Sequence, residues 1–146
     1  MSADAQTLYL AEPPPQYLAR PPVVIDCSAF AAFVFRETGE AEAFARMRGK
    51  SLHAPFQLEV EMASVALKKR QQGFGDLAKE GILKFEAADI QFHALSPSGA
   101  LELAARYQLT AYDAAYLWLA AEIKCPLLTF DKRLGKAAKK HLALLP

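Results

Sequence analysis

The chain has 146 residues, 53% of them hydrophobic, which predicts a single domain with a substantial core. Its formal net charge is only +1, so no overall basic field marks it as a nucleic-acid-binding protein, and charge has to be considered locally. Cys27, Cys125 and the three histidines follow no zinc or other metal-binding spacing. With no signal-peptide pattern and no apolar run long enough to span a membrane, we expect a reduced, cytoplasmic protein.

Residues 1–22 are predicted to be a proline-rich extension, because AEPPPQYLARPP can form neither a helix nor a central strand. The folded domain is expected to span residues 23–146. It begins with the β-branched run VVI, which predicts a buried strand at 23–25 with Asp26 at its carboxyl end.

The middle of the chain alternates between helical and extended patterns. Leu58, Met62, Val65 and Ala66 form one apolar stripe, which is typical of a helix packed on a core. The predicted elements are helices at 29–35 and 38–48, the latter capped by Thr38, a strand at 51–55, helices at 57–71 and 76–84, a strand at 90–95, and a helix at 97–107 capped by Ser96.

The last third contains the most apolar helix, predicted at 112–124, followed by the strand PLLTF, which ends at Asp131. A basic helix, DKRLGKAAKKH, comes next, and LALLP is interpreted as a final strand. Because strands alternate with helices and several strands are apolar throughout, the sequence predicts a parallel α/β sheet.

Acidic residues recur where such a sheet would bring them together. Asp26 and Asp131 each follow an apolar strand, and the carboxyl ends of parallel strands lie at one edge. Each acid also has a structural alternative: Asp26 and Asp131 as helix caps, Asp113 as part of a capping box that starts at Thr110, and Glu59 as a solvated helix residue.

Taken together, these acids predict a metal site better than they predict separate caps. Two carboxylates ~4 Å apart repel by about 4 kcal/mol at an effective dielectric constant of about 20. Several such groups need protons, Arg or Lys side chains, or a metal to neutralise them. Mg²⁺ prefers oxygen ligands and is usually held by a few carboxylates together with water and a substrate phosphate. Because such an ion activates water and offsets phosphate charge, the pattern favours phosphodiester hydrolysis.

Three segments carry a family resemblance: VVIDCSAF, APFQLEVEMASVALKK and LTAYDAAYLWLAAEIKCPLLTFDKRL. They closely resemble the PIN-domain ribonucleases and, more narrowly, the VapC-like toxins of bacterial toxin–antitoxin pairs. The resemblance covers Val23 to Leu145 and implies a three-layer sandwich, with a central, mostly parallel sheet flanked by helices. By matching position it implies four catalytic, metal-binding acids, supported by two hydroxyls; the acids are Asp26, Glu59, Asp113 and Asp131, and the hydroxyls belong to Ser28 and Thr129.

The resemblance further implies Mg²⁺ or Mn²⁺ as cofactor, endonucleolytic cleavage of RNA, a homodimer and inhibition by a cognate antitoxin. Hydrolysis of this kind would leave 5′-phosphate and 3′-hydroxyl ends. Glu61 stands where relatives often have a neutral amide. Its alternatives are an extra ligand and a solvent-facing residue, and because it lies about 200° round the helix from Glu59, we favour solvent or a partner.

Positive charge is concentrated beside Asp131 in a basic helix that contains Lys132, Arg133, Lys136, Lys139, Lys140 and His141, with the first three as the candidate RNA-binding residues. These residues are candidates for an RNA-backbone track, and the alternative is a solvated helix face. Two alternatives to a nuclease also stay open. One is a PIN-fold interaction module with little or no nuclease activity, and the other is a phosphoacceptor or phosphatase that uses Asp26.

Overall fold

The computed structural model describes residue 9 and residues 20–146, so most of the extension predicted at residues 1–22 lies outside the described residues. Within the described residues, four parallel strands form one sheet flanked by seven helices, which confirms the α/β class. The strands are β1 (Pro22–Ile25), β2 (Ser51–Pro55), β3 (Ile90–His93) and β4 (Leu127–Leu128). The helices are α1 (Cys27–Val34), α2 (Glu40–Met47), α3 (Gln57–Gln71), α4 (Gly75–Ala87), α5 (Pro97–Tyr107), α6 (Ala111–Glu122) and α7 (Lys132–Leu142).

The sheet has the strand order β3-β2-β1-β4, so β1 lies between two neighbours. Val24 and Ile25 are fully buried, which agrees with a strand covered on both faces. In the pairing of β1 with β4, Ile25 is opposite Leu128. The residues that follow, Asp26 and Thr129, therefore leave the sheet side by side at its carboxyl edge.

The core lies between the sheet and the apolar faces of the helices. The stripe predicted on α3 is confirmed, since Leu58, Met62 and Ala66 are buried and Val65 is half-buried against the core. Six residues of α6 are buried, as expected of the central helix. Among residues 9 and 20–146, no helix combines the length and the apolar character that crossing a membrane requires.

Two sequence-based expectations about the elements are wrong. The N-cap of α2 is Gly39 rather than Thr38, and no side chain caps this helix. Gly39 has φ +93°, and a Cβ atom there would lie 2.6 Å from Cζ of Phe130, so both the backbone and the packing favour glycine. LALLP forms no strand: α7 continues to Leu142, which packs against the core.

Candidate functional site

Asp26 lies where β1 ends and α1 begins, and it is only 4% exposed. Its Oδ1 accepts hydrogen bonds from the Ala29 backbone N–H at 3.0 Å and from Ser28 Oγ at 2.7 Å. Its Oδ2 accepts a short hydrogen bond from Thr129 Oγ1. The interpretation of Asp26 as a helix cap is thus confirmed. A carboxylate offers about four lone pairs and three are used, so one is left on Oδ2 for another ligand.

The hydroxyls of Ser28 and Thr129 connect the end of β1 to the end of β4. Ser28 Oγ accepts from the Phe130 backbone N–H at 2.9 Å, and Thr129 Oγ1 accepts from the Asp131 backbone N–H at 2.9 Å. Because these N–H groups can only donate, each hydroxyl proton is available to Asp26. The two hydroxyls therefore fix the Asp26 carboxylate, which is what a supporting role requires.

Asp26 nevertheless has a pKa above the usual carboxyl value. Burial raises the pKa most, and the negative charge of Asp113 raises it further. The hydrogen bonds from Thr129, Ala29 and Ser28 act in the opposite direction without cancelling the effect of burial. The charged form of Asp26 is consequently held in place but incompletely neutralised.

Asp113 occupies the first turn of α6, where its backbone N–H donates to Thr110 Oγ1 at 3.1 Å. This bond confirms Thr110 as the helix cap. The Asp113 side chain is half-buried, and its pKa is raised first by burial and then by the charge of Asp131. Thr110 and the positive charge of Arg133 lower it in part. Asp113 is thus a second carboxylate with excess negative charge nearby.

Asp131 caps α7, since its Oδ1 accepts from the Leu134 backbone N–H at 2.9 Å. This hydrogen bond confirms the capping interpretation, and the Asp131 side chain is otherwise exposed. Its charge still affects the pKa of Asp113. Asp131 therefore lies at the rim of the acidic region.

The two glutamates of α3 differ in burial and in their electrostatic environment. Glu59 is exposed, and its charge is not among the causes of the raised pKa values of Asp26 and Asp113. Glu61 is half-buried near the other acids, so its placement agrees better with the alternative of an extra ligand than with a solvent-facing side chain. Burial raises the pKa of Glu61 most, and the charges of Asp26 and Asp113 add to this rise. The acidic residues brought together at the carboxyl edge, termed the acidic site below, are Asp26, Glu61, Asp113 and Asp131.

Gln57 orients Glu61 toward α6. Its Nε2 donates to Glu61 Oε1 and to the Tyr112 carbonyl oxygen, both at 2.8 Å. The same amide thus connects α3 with the first turn of α6, next to Asp113. The hydrogen bond from Gln57 also opposes the rise in the pKa of Glu61.

Tyr116 is buried behind these carboxylates, and its hydroxyl lies close enough to Glu61 to lower the pKa of that carboxyl, although the geometry of a regular hydrogen bond is not met. Burial raises its pKa most, followed by the charges of Glu61, Cys27 and Asp26. The Cys27 thiol is nearby, and burial together with Glu61 and Asp26 raises its pKa to about 12. Cys27 is therefore a neutral thiol at physiological pH and not a nucleophile.

The chemistry of the acidic site fits a hard divalent cation. Its donors are carboxylate and hydroxyl oxygens, which Mg²⁺ and Mn²⁺ prefer, and its carboxylates lack a full complement of positive charge. In the part of the chain that the structure describes, no group of three or more His, Cys, Asp or Glu side chains is arranged to hold a metal ion as it stands. Binding would therefore require rotation of side chains toward Asp26.

The basic residues predicted as an RNA track, Lys132, Arg133 and Lys136, are all exposed on α7. Arg133 is near enough to Asp113 to lower its pKa. The acidic site and the basic helix are therefore neighbours.

Sequence reasoning missed Gln57 and Tyr116 as participants in this region, and it named Glu61 as an extra ligand only in the less favoured alternative. One available signal was the spacing of Gln57 and Glu61, because residues four apart on a helix face each other and can hydrogen-bond. The buried tyrosine had no comparable signal.

Comparisons with known proteins agree with this architecture. The family model of the PIN domain matches residues 23–140. Ribonuclease VapC3 of Pyrobaculum aerophilum is 31% identical over 121 residues, which cover 78% of this chain and 92% of that relative. The crystal structure of PAE2754 from Pyrobaculum aerophilum has a TM-score of 0.65 with 20% identity, over 84% of this chain and 93% of that one, a likeness of fold. The chain therefore belongs to the PIN-domain family, as a VapC-like member.

Proposed function

We propose that the protein is the toxin of a toxin–antitoxin pair and acts as a divalent-metal-dependent endoribonuclease. One observation carries the proposal: Asp26, Glu61 and Asp113 come from three different elements, and the charge of Asp113 raises the pKa values of the other two. A protein that had no cation to bind would gain stability by replacing one of them.

Asp26, Glu61 and Asp113 would hold the ion, with Asp131 at the rim, and Glu61 takes the place that the resemblance gave to Glu59. When bound, Mg²⁺ or Mn²⁺ would offset phosphate charge and lower the pKa of water. Ser28 and Thr129 keep Asp26 oriented through their hydrogen bonds. Gln57 does the same for Glu61.

Two exposed aromatic rings beside the acids support RNA as the substrate. Tyr112 directly precedes Asp113 and is 65% exposed, and Phe130 directly precedes Asp131 and is 43% exposed. Unpaired bases stack on such rings, and stacking is a common way to hold single-stranded RNA. The name of the relative Ribonuclease VapC3 points in the same direction.

A groove between α3 and α4 supports a protein partner. It has a volume of about 340 Å³, and Leu67 and Leu83 at its sides are more than half exposed. An apolar segment of a cognate antitoxin would cover these side chains, with a basic residue reaching the acidic site. The proposal also includes a homodimer, which analytical ultracentrifugation would detect as twice the mass of the chain.

Purified protein incubated with single-stranded RNA tests the enzymatic proposal. We expect cleavage with Mg²⁺ or Mn²⁺, no cleavage with excess EDTA, and 5′-phosphate ends on the products. Asp26→Asn, purified in parallel, excludes a contaminating nuclease. RNA that stays intact with every metal, under conditions where the protein is folded, would favour the interaction module instead.

A further inference from the structure

We propose that the groove between α5 and α7 binds the RNA strand on one side of the scissile phosphate, with successive phosphates on Arg133, Lys136 and Lys140 and one base on Tyr107. The proposal rests on the ribonuclease function proposed above and assigns a position to its substrate. It extends the predicted basic track of α7 to an aromatic wall on α5.

Four of the six residues that line the groove are basic. It has a volume of about 360 Å³ and no acidic side chain among its lining residues, which are Tyr107, Arg133, Lys136, Ala137, Lys139 and Lys140. The KRLGKAAKKHL sequence of α7 carries five of the 17 Lys and Arg residues of the chain and none of its 16 acids. A chain of net charge +1 thus concentrates its positive charge on one helix.

These cations have few partners within the protein. The ion pairs found among the described residues all involve α3, α4 or the loop after α1, and none includes a cation of α7. The helix dipole gives Lys139 and Lys140 a structural role, because cations near a helix carboxyl end are favourable. The dipole opposes Arg133 in the first turn, so helix stability does not account for the residue nearest the acidic site.

The spacing of the cations suits a continuous strand. Arg133, Lys136 and Lys140 are three and four residues apart, so they share one face of α7 at intervals of about 5–6 Å. Arg133 follows Asp131, the acid at the rim of the acidic site, by two residues in the first turn of α7. The row of cations therefore starts at the acidic site and leads away from it.

Tyr107 gives the groove an aromatic wall whose orientation is fixed. Its hydroxyl is 2.9 Å from Nδ1 of His141, and the two rings meet edge to face with centroids 5.4 Å apart. The ring is half-buried, so part of it faces the groove. A cationic track beside an aromatic ring is typical of single-stranded nucleic-acid binding, because the cations contact phosphates and the ring stacks on a base. An acidic protein segment would bind through the cations alone and would not require the ring.

The test measures binding of a fluorescent single-stranded oligoribonucleotide to the full chain in EDTA, so that cleavage does not interfere. Affinity is measured from 50 to 300 mM salt, conditions in which phosphate contacts produce a linear log–log dependence of about 0.7 per contact. We expect Lys136→Ala/Lys140→Ala to reduce the slope by about 1.4. The control, Lys68→Ala/Lys79→Ala, removes the same charge from exposed positions on α3 and α4 and should leave the slope unchanged.

The contribution of the Tyr107 ring is tested separately, by two substitutions that remove or keep it. Tyr107→Ala should weaken binding at least about fivefold through the loss of stacking, while Tyr107→Phe, which keeps the ring, should bind like the wild type. Equal slopes for both double variants, or equal affinity for Tyr107→Ala and the wild type, would overturn the proposal. So would equally tight, groove-dependent binding of polyglutamate, because the groove would then take acidic protein segments.

Cleavage by the wild type with Mn²⁺ is scored independently of these slopes. Cleavage without any effect of the groove variants would reject the groove alone. A groove-dependent slope without cleavage at any metal concentration would reject the ribonuclease function and leave an RNA-binding groove.

Discussion

The two sides of the acidic site are built in different ways. On the sheet side, three hydrogen bonds from Ala29, Ser28 and Thr129 fix the Asp26 carboxylate. On the helix side, Glu61 and Asp113 are half-buried with fewer donors, and each has the charge of another acid raising its pKa. The sheet side is organised by the fold itself, whereas the helix side has negative charge that a cation would neutralise.

Asp26→Asn should produce the largest loss of activity. Removing its charge weakens metal and phosphate binding at the position where the fold is most rigid, so we expect kcat/KM for RNA to fall by roughly 100-fold or more. Asp26→Ala should in addition lower the free energy of unfolding by about 2–4 kcal/mol, because it removes a helix cap and leaves buried donors unpaired. Cleavage assays and urea titrations measure the two effects, and wild-type activity of Asp26→Asn would remove Asp26 from the site.

Glu61→Gln and Glu59→Gln form a matched pair on α3. Glutamine keeps the size of either side chain, but only at position 61 does it remove a charge that interacts with Asp26 and Asp113. We expect kcat/KM to fall about 10–100-fold for Glu61→Gln and to change less than twofold for Glu59→Gln. The reverse pattern would restore the assignment that the resemblance made to Glu59.

Asp113→Asn should lower activity but raise the stability of the metal-free protein, and the change in stability should be smaller than that of Asp26→Ala. Folding raises the pKa values of Asp26, Glu61 and Asp113, so between the usual carboxyl value and the raised ones the folded chain binds more protons than the unfolded chain. The stability of the metal-free protein therefore falls as the pH rises through that interval.

For Asp113→Asn we expect a gain in the free energy of unfolding on the order of 0.5 kcal/mol at pH 7, since Asp113 is half-buried and solvent screens its charge. The gain should disappear below the usual carboxyl pKa, because Asp113 is then protonated and the side chain at position 113 is neutral in the wild type and in the variant. Denaturant titrations in EDTA at pH 3.5 and pH 7 measure the difference. A loss of stability at both values would indicate a role in capping instead.

Much of the fold follows from local pattern. The bounds of α3 and α5 were predicted residue by residue, because an apolar stripe marks one and the Ser96–Pro97 cap begins the other. The convergence of Asp26 and Asp131 follows from parallel strands alone. LALLP was misassigned because a short apolar run does not distinguish a strand from a helix end that packs on the core.

The choice between Glu59 and Glu61 could not be made from the sequence. At about 100° per residue, the two side chains flank the apolar stripe of α3 by roughly 80° on either side. Which flank faces Asp26 depends on how α3 docks on the sheet, and that orientation depends on contacts far apart in the chain. Gln57 and Tyr112 make one of these contacts.

The central claim is that the acidic site holds a divalent ion through Asp26, Glu61 and Asp113. Calorimetric titration of Mn²⁺ into the metal-free wild type, Glu61→Gln and Glu59→Gln tests it most directly, because it requires no substrate. We expect the wild type and Glu59→Gln to bind with the same affinity and Glu61→Gln to bind at least about tenfold more weakly. Equal binding by all three proteins, or no binding by the wild type at millimolar Mn²⁺, would contradict the account.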